Sequence, residues 1–422
     1  MKIDQVVDIV IPKEKQRRIL IFASFIWMVG AAGVMIMPFV LPDLISEWQL
    51  SKISASSLVS STFLGMLFGA LFSGVILDYF GRKSGMVFYL LISIVFTVFF
   101  GFSKSYSIAY FLRFVSGFGY GGLLPSVNTY LSEFTSIKLR GRYLVYLETS
   151  WAIGSILMAL FAVTLGEKFG WRSNFYIFLL GLFILISLLK NGETPKYIFE
   201  KNGKEALEKQ FGKISQEIES VEKVKVTYSA MFKKKYLKQT ILVMISWFVV
   251  SFVYYALFSW APKIFVNNLS ISITKAKWYT FYVYLAQLPG YLSVAYLIEK
   301  WGRKRTLSVY FVGMGLSSFL LFATMGNISF LFVILVLSFF TLGVWGLVYA
   351  YTPELFPTSF RGTANGIAGV MARVAGILAP YFTGYFIDKS VVMVLSYTAI
   401  ISIVTGVLVL ILGVETKDRP ID

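Results

Sequence analysis

The chain has no cysteine and no histidine. Without cysteine there are no disulfides, thiolate metal sites or thiol nucleophiles. Without histidine the commonest general base, proton relay and zinc ligand are missing. Charge is scarce too: only 14% of the 422 residues are charged, against roughly 25% in a soluble domain. No G-x4-G-K-[ST] sequence occurs, so there is no phosphate loop for an ATP motor. These absences exclude a disulfide scaffold, leave an enzyme without its usual side chains, and leave a gradient as the source of any work. No cofactor or metal is expected.

Apolar residues are abundant. They make up 57% of the chain, and the mean hydropathy is +0.72. A soluble core cannot hide that much, so a polytopic membrane protein is expected. About 20 apolar residues span the hydrocarbon core. Runs of that kind fall at 19–42, 55–77, 85–102, 108–130, 143–166 and 173–189, then at 240–266, 278–298, 306–325, 328–351, 363–387 and 391–414. The first is too long for a signal peptide and has no small-residue cleavage site. The expected fold is therefore an all-α membrane protein with twelve transmembrane helices. A 1–18 tail precedes a six-helix bundle over 19–190. A polar linker over 191–239 follows, helical from Glu205 to about Lys223 and without a clear core. A second six-helix bundle covers 240–414, with a 415–422 tail.

The net charge of +17 is positional. With the N-terminus inside, 29 Lys and Arg fall on the inner side, 8 on the outer side, counting Lys263 at the outer end of the 240–266 run, and 2 deep within spans. The positive-inside rule then puts both termini in the cytoplasm of a multi-pass cell-membrane protein. The excess also suits anionic lipid, and no nucleic-acid partner is expected. Lys277 is counted among the outer loop cations.

The two halves repeat at an offset of 221. Gly81-Arg82-Lys83 returns as Gly302-Arg303-Lys304, each three residues after an acid, Asp78 and Glu299. Gly122, Tyr130, Glu133 and Arg140-Gly141 return as Gly343, Tyr351, Glu354 and Arg361-Gly362. One ungapped offset at separated sites means parallel, pseudo-symmetric bundles, a transporter architecture with a midplane site.

These motifs resemble the major facilitator superfamily across both halves. Gly74-x3-Asp78-x2-Gly81-Arg82-Lys83 is similar to its loop 2–3 signature, and Arg113-x3-Gly117-x-Gly119-x-Gly121-Gly122 to its helix-4 signature. Pro353-Glu354-Leu355-Phe356-Pro357-Thr358, Glu193-Thr194-Pro195 and Glu415-Thr416-Lys417 resemble sugar porters. Leu147 to Gly154, Tyr254-Tyr255-x4-Trp260-x-Pro262, Gln287-Leu288-Pro289-Gly290-Tyr291 and Arg373-x2-Gly376-x3-Pro380 resemble bacterial niacin transporters and the synaptic-vesicle-2-like group. The resemblance implies alternating access and monomers. It also implies a cytoplasmic gate of Asp78, Gly81, Arg82, Lys83, Glu133, Arg140, Glu299, Arg303, Glu354 and Arg361. Glu133 and Arg140 are natural partners there, as are Glu299 and Glu354 with Arg303 and Arg361. Many relatives carry an acid in helix 1 near Gly33; this chain has none.

Three ionisable residues fall within spans: Arg113, Glu148 and Arg373. Each must face a cavity or a partner. Glu148 reads as a proton-carrying carboxylate or as a permanently paired structural acid. Arg373 reads as a bidentate holder of an anionic substrate or as half of a fixed ion pair. Arg113 either responds to a proton-carrying acid or bonds backbone carbonyls across a helix interface. Tyr120, Asn128, Trp151, Tyr254, Tyr255, Trp260, Tyr284, Gln287, Trp345 and Tyr349 are the candidates for a substrate surface suited to a flat ring with a carboxylate, and nearly as well to a sugar.

The expected function is proton-coupled symport of a small organic or aromatic acid. The alternative is sugar–proton symport. An efflux pump, a gated channel and a non-transporting sensor have weaker support in the motifs.

Overall fold

The computed structural model describes residues 3–212, 214, 218, 228–357 and 360–417. Thr358 of the Pro353–Thr358 motif and linker residues 213, 215–217 and 219–227, with the expected helix end near Lys223, lie outside the described residues. Every regular element among those described is helical.

The first helices are α1 (Ile3–Val10), α2 (Lys13–Met35), α3 (Met37–Trp48), α4 (Lys52–Phe80), α5 (Arg82–Phe100), α6 (Tyr106–Phe134) and α7 (Ile137–Phe161). A wide turn at Ala162–Gly166 leads into α8 (Glu167–Phe169). Then come α9 (Ser173–Tyr176), α10 (Gly181–Leu189), α11 (Pro195–Phe211) and α12 (Tyr228–Met231). The later helices are α13 (Leu237–Phe258), α14 (Ala261–Leu269), α15 (Ile273–Leu285), α16 (Gln287–Trp301), α17 (Arg303–Ala323), α18 (Ser329–Glu354), α19 (Arg361–Phe386) and α20 (Val391–Leu412).

Each of the twelve expected spans coincides with a helix or a pair of helices. Ten are long and apolar enough to cross a membrane. The other two are the glycine-rich, Arg113-bearing α6 of 29 residues and the shorter apolar stretch Ser173–Leu189. Large apolar side chains such as Phe72, Val75, Phe183, Leu292 and Ile411 stand exposed. A lipid-facing surface has that character, because a bilayer satisfies apolar groups and leaves backbone polar groups to pair within the helices.

Several spans are broken, and proline explains where. Pro38 has no N–H for the Val34 carbonyl, and α2 gives way to α3 at Ile36. Pro262 sits in the first turn of α14, after the break that follows Phe258. Pro289 cannot donate to the Leu285 carbonyl, and α15 gives way to α16 at Ala286.

The chain divides into two compact units. The first comprises Met1–Ile36 and Ser61–Lys223; the second comprises Met37–Ser60 and Val224–Asp422. In the first, α4 and α6 approach at backbone distance. A Cβ on Gly65 or Gly69 would strike the carbonyls of Phe114 and Phe118, and one on Gly117 or Gly121 those of Thr62 and Met66. Small residues allow such packing. The glycines of the helix-4 signature thus include a helix-packing stripe.

Two expectations need correction here. The N-terminal stretch is not simply a polar tail, and the linker region does have a core. Ile3 and Val6 of α1 bury against Ile198 and Leu207 of α11 and against Ile214. Helix α1 is short, at eight residues, and its partners Ile198 and Leu207 lie about 200 residues away, so the sequence alone does not pair them. Gln16 anchors the module: its Nε2 donates to the Ile11 carbonyl, and its Oε1 accepts from the Ser136 N–H.

Candidate functional site

Each unit carries a polar clasp at the start of its Gly-Arg-Lys helix, α5 in the first and α17 in the second. In the first unit Gly81 has φ 103°, a backbone that L side chains resist. That bend delivers the first N–H groups of α5 to the Glu193 carboxylate, which accepts from Lys83 N at 3.0 and 3.1 Å. A carboxylate at a helix N-terminus is favoured by the unpaired N–H groups and the helix dipole. Arg82 is buried. Its Nε donates to Glu133 at 3.2 Å, and its Nη1 reaches Asp78 at 3.1 Å. Thr194 donates to the other Glu133 oxygen at 2.6 Å, and Tyr130 donates to the Gly192 carbonyl. Lys83 Nζ donates to the Leu189 carbonyl.

The second unit repeats this with φ 84° at Gly302. Glu415 accepts from the N–H groups of Arg303 and Lys304. Arg303 holds Glu354 through Nε and Nη2, and Thr416 donates to the same carboxylate. Tyr351 donates to the Val414 carbonyl. The 221-residue offset in the sequence is thus an offset of contacts as well.

The two clasps differ electrostatically. Burial pushes the Glu193 carboxyl up, against the hydrogen bonds from Thr194 and Lys83. Burial also acts on Glu415, but four backbone N–H groups outweigh it and hold its carboxyl down.

The remaining gate candidates sit nearby in less connected positions. Arg140 Nη2 donates to the Thr135 carbonyl. Arg361 has Nε and one Nη buried without a hydrogen-bond partner. Glu299 is exposed near the end of α16.

Of the intramembrane candidates, Arg113 and Glu148 belong to the first unit and Arg373 to the second. Arg113 is fully buried and donates from Nη1 to the Gly33 carbonyl at 3.1 Å. A Cβ at position 33 would meet the Tyr120 hydroxyl, so any side chain there would have to displace that ring. Tyr120 is fully buried, and its hydroxyl shares a 2.6 Å hydrogen bond with Thr97. Glu148 and Trp151 are half-buried on α7, which touches the α2 backbone where Gly154 meets Met28. Asn128 is half-buried on α6.

The second unit gathers an aromatic wall. Trp345 stacks with Tyr349 at 5.9 Å, and Tyr254 lies edge-on to Trp345 at 6.3 Å and to Tyr255 at 5.1 Å. Trp247, which sequence reasoning did not single out, completes it. Its ring meets Trp345 at 5.5 Å and Tyr349 at 4.6 Å, and its N–H donates to Thr352 at 2.8 Å. The signal was available: Trp247 and Tyr254 are seven residues apart, two turns on one helix face. Arg373 is half-buried, donates from Nη1 to its own-helix Gly369 carbonyl, and keeps a buried Nε without a partner. Tyr255 lies within electrostatic range of that guanidinium, and Tyr284 within range of Tyr254 and Tyr255. Gln287 is fully buried, with both carboxamide atoms unpartnered. Trp260 instead donates to the Pro380 carbonyl at 3.2 Å.

Together these residues supply a cation, flat aromatic faces and neutral polar groups. That set can hold a small organic molecule and has no nucleophile–base pair. Among the described residues there is also no cluster of acids that could hold a metal.

Known proteins are similar to this one over most of the chain. The "Sugar (and other) transporter" family matches residues 38–422. The "Putative niacin/nicotinamide transporter NiaP" of Bacillus subtilis (strain 168) is 34% identical, over 96% of this chain and 98% of that one. The "Niacin transporter NiaP" of Acinetobacter baylyi is 30% identical, over 94% and 93%. Among solved structures, a D-xylose-proton symporter superposes with TM-score 0.77 at 16% identity, over 95% of this chain and 98% of the other. At that identity the likeness concerns the fold, which is the major facilitator fold. The chain therefore belongs to the sugar (and other) transporter family, and it is a multi-pass membrane transporter and not an enzyme.

Proposed function

We propose that this transporter carries a small aromatic acid of the pyridine-carboxylate kind, together with a proton, by alternating access. The observation that carries the reading is Arg373. It is a half-buried guanidinium in a membrane helix, with Nε unpartnered, beside Tyr255. A charge there is costly unless it serves a partner, and a planar fork beside aromatic faces suits a flat ring with a carboxylate. Two relatives at 30% identity or more carry niacin in their names, which supports the same substrate class.

In this reading Arg373 holds the carboxylate. The wall of Trp247, Tyr254, Tyr255, Trp345 and Tyr349 stacks on the ring. Glu148 takes up and releases the proton. Arg113 stiffens the first unit through the Gly33 carbonyl. The two clasps, with Arg140, Glu299 and Arg361, form the cytoplasmic gate, and both termini lie in the cytoplasm. The working form is a monomer in the cell membrane.

Proton-gradient-driven uptake of niacin into proteoliposomes tests this. Glu148→Gln is expected to abolish accumulation against a gradient and to spare counterflow. Unchanged accumulation would sink the proton assignment. Uptake of xylose in place of niacin would favour sugar–proton symport.

A further inference from the structure

Within the second unit, Gln287 is a fully buried side chain whose Nε2 and Oε1 both lack a hydrogen-bond partner. Native proteins seldom strand both ends of a buried carboxamide, because each unpaired group forfeits its hydration. Its place in the chain is also unusual. It is the first residue of α16, directly after the interruption at Ala286. Two residues on, Pro289 withholds an N–H from the Leu285 carbonyl. Interrupted membrane helices are tolerated where they line a cavity, and transporters build substrate sites at them. Tyr284 lies three residues earlier, at the end of α15. Tyr284 is within electrostatic range of Tyr254 and Tyr255, and Tyr255 of Arg373. The stranded carboxamide thus follows closely in the chain on a residue linked, through Tyr255, to the guanidinium.

We infer that Gln287 is a specificity-determining residue that reads a neutral planar edge with one acceptor and one donor side by side. The primary carboxamide of an aromatic amide has that edge, and so does the protonated carboxyl of an aromatic acid. In either case the ligand carbonyl accepts from Nε2, and the ligand N–H or O–H donates to Oε1. An ionised carboxylate only accepts, and would leave Oε1 facing an anion. With Arg373 for the anion and Gln287 for the neutral edge, the second unit can take both the acid and the amide of one ring. This inference rests on the second unit being the substrate-holding one.

The experiment measures binding of benzamide, benzoate and methyl benzoate to the full-length protein in nanodiscs. Wild type is expected to prefer benzamide over the ester by about tenfold or more, since the ester has no hydrogen to donate to Oε1. Gln287→Met keeps the length of the side chain and removes both polar groups. It should bring that ratio to within about twofold, because no stranded group then penalises the ester. Gln287→Leu should give the same ratio. Both variants should melt no lower than wild type without ligand, because the unpaired groups are gone.

If the protonated acid shares the site, benzoate binding strengthens as pH falls, and that strengthening disappears in Gln287→Met. Benzamide binding stays level with pH. An amide-to-ester ratio unchanged in Gln287→Met would mean that a water satisfies the carboxamide, and would overturn the inference. Binding of none of the three ligands, or benzoate binding indifferent to Arg373→Gln, would instead overturn the substrate-holding role of the second unit.

Discussion

Lys277 and Asp43, 234 residues apart, form an ion pair inside the second unit, Nζ to Oδ2 at 2.9 Å, with the lysine side chain 6% exposed. Lys277 is therefore not the loop cation that its position after a polar stretch suggests. It lies one turn into α15, whose Ser272 cap accepts from the Lys275 N–H. Asp43 comes directly after Pro42 in α3. Asp43→Asn takes a carboxylate partner from the buried lysine and is expected to cost about 3 kcal/mol, the low end for a broken buried pair. Lys277→Met should cost less, because Asp43 is a third exposed. The double variant should recover much of the loss. Thermal unfolding in detergent checks this, and additive losses would show that the pair has no coupling.

The two clasps should respond to pH in opposite directions. Glu193 is pushed up by burial. The folded protein then holds that proton more tightly than the unfolded chain. The contribution is fully present below the ordinary value of 4.5 and is lost as pH rises through the raised value. Glu415 is held down by its four backbone donors, against burial. Its contribution is present above 4.5 and is lost as pH falls through the lowered value. Melting temperatures against pH should therefore show Glu193→Gln gaining on wild type as pH rises towards neutrality. Glu415→Gln should lose ground to wild type over the acid limb as pH rises. Parallel curves for both variants would contradict the asymmetry.

Gly33 and Tyr120 should be coupled. A methyl group at position 33 would run into the Tyr120 hydroxyl and ring. Gly33→Ala is expected to destabilise by about 1–3 kcal/mol, the usual cost of overpacking. In a Tyr120→Val background the same change should cost less. A double-mutant cycle on thermal stability reads the difference, and an equal cost in both backgrounds would place the strain elsewhere.

Arg373 separates the two substrate readings. Arg373→Lys keeps the charge and loses the planar fork, and Arg373→Gln loses both. For an aromatic acid, uptake should fall about tenfold or more with Arg373→Lys, since charged hydrogen bonds contribute 1.5–3 kcal/mol, and further with Arg373→Gln. For a neutral sugar both variants should change uptake only modestly. Initial-rate uptake of niacin and xylose by the same preparations distinguishes the cases.

The sequence by itself determined the helical spans and the repeat. Runs of apolar residues can cross a bilayer only as helices, because nothing in lipid pairs with backbone N–H and C=O groups. An offset of 221 carried Arg82, Glu133 and Tyr130 onto Arg303, Glu354 and Tyr351, and identical residues in identical local geometry repeat their contacts. The three intramembrane charges were legible too, because charge in an apolar run is conspicuous.

Only the tertiary structure decided the partners. Arg82 takes Glu133, Arg113 takes the Gly33 carbonyl, and Lys277 takes Asp43. Such pairs depend on which helix faces meet, and a composition nearly uniform around each helix does not encode that. Trp247 vanished among 74 aromatic residues until packing put it against Trp345 and Tyr349. The core under α1 was hidden for the opposite reason. Ile3 and Val6 belong to a run too short to span a membrane, and they form a core only because Ile198 and Leu207 are folded against them. Unpaired polar atoms, such as those of Gln287, exist only once everything that could have reached them has been placed.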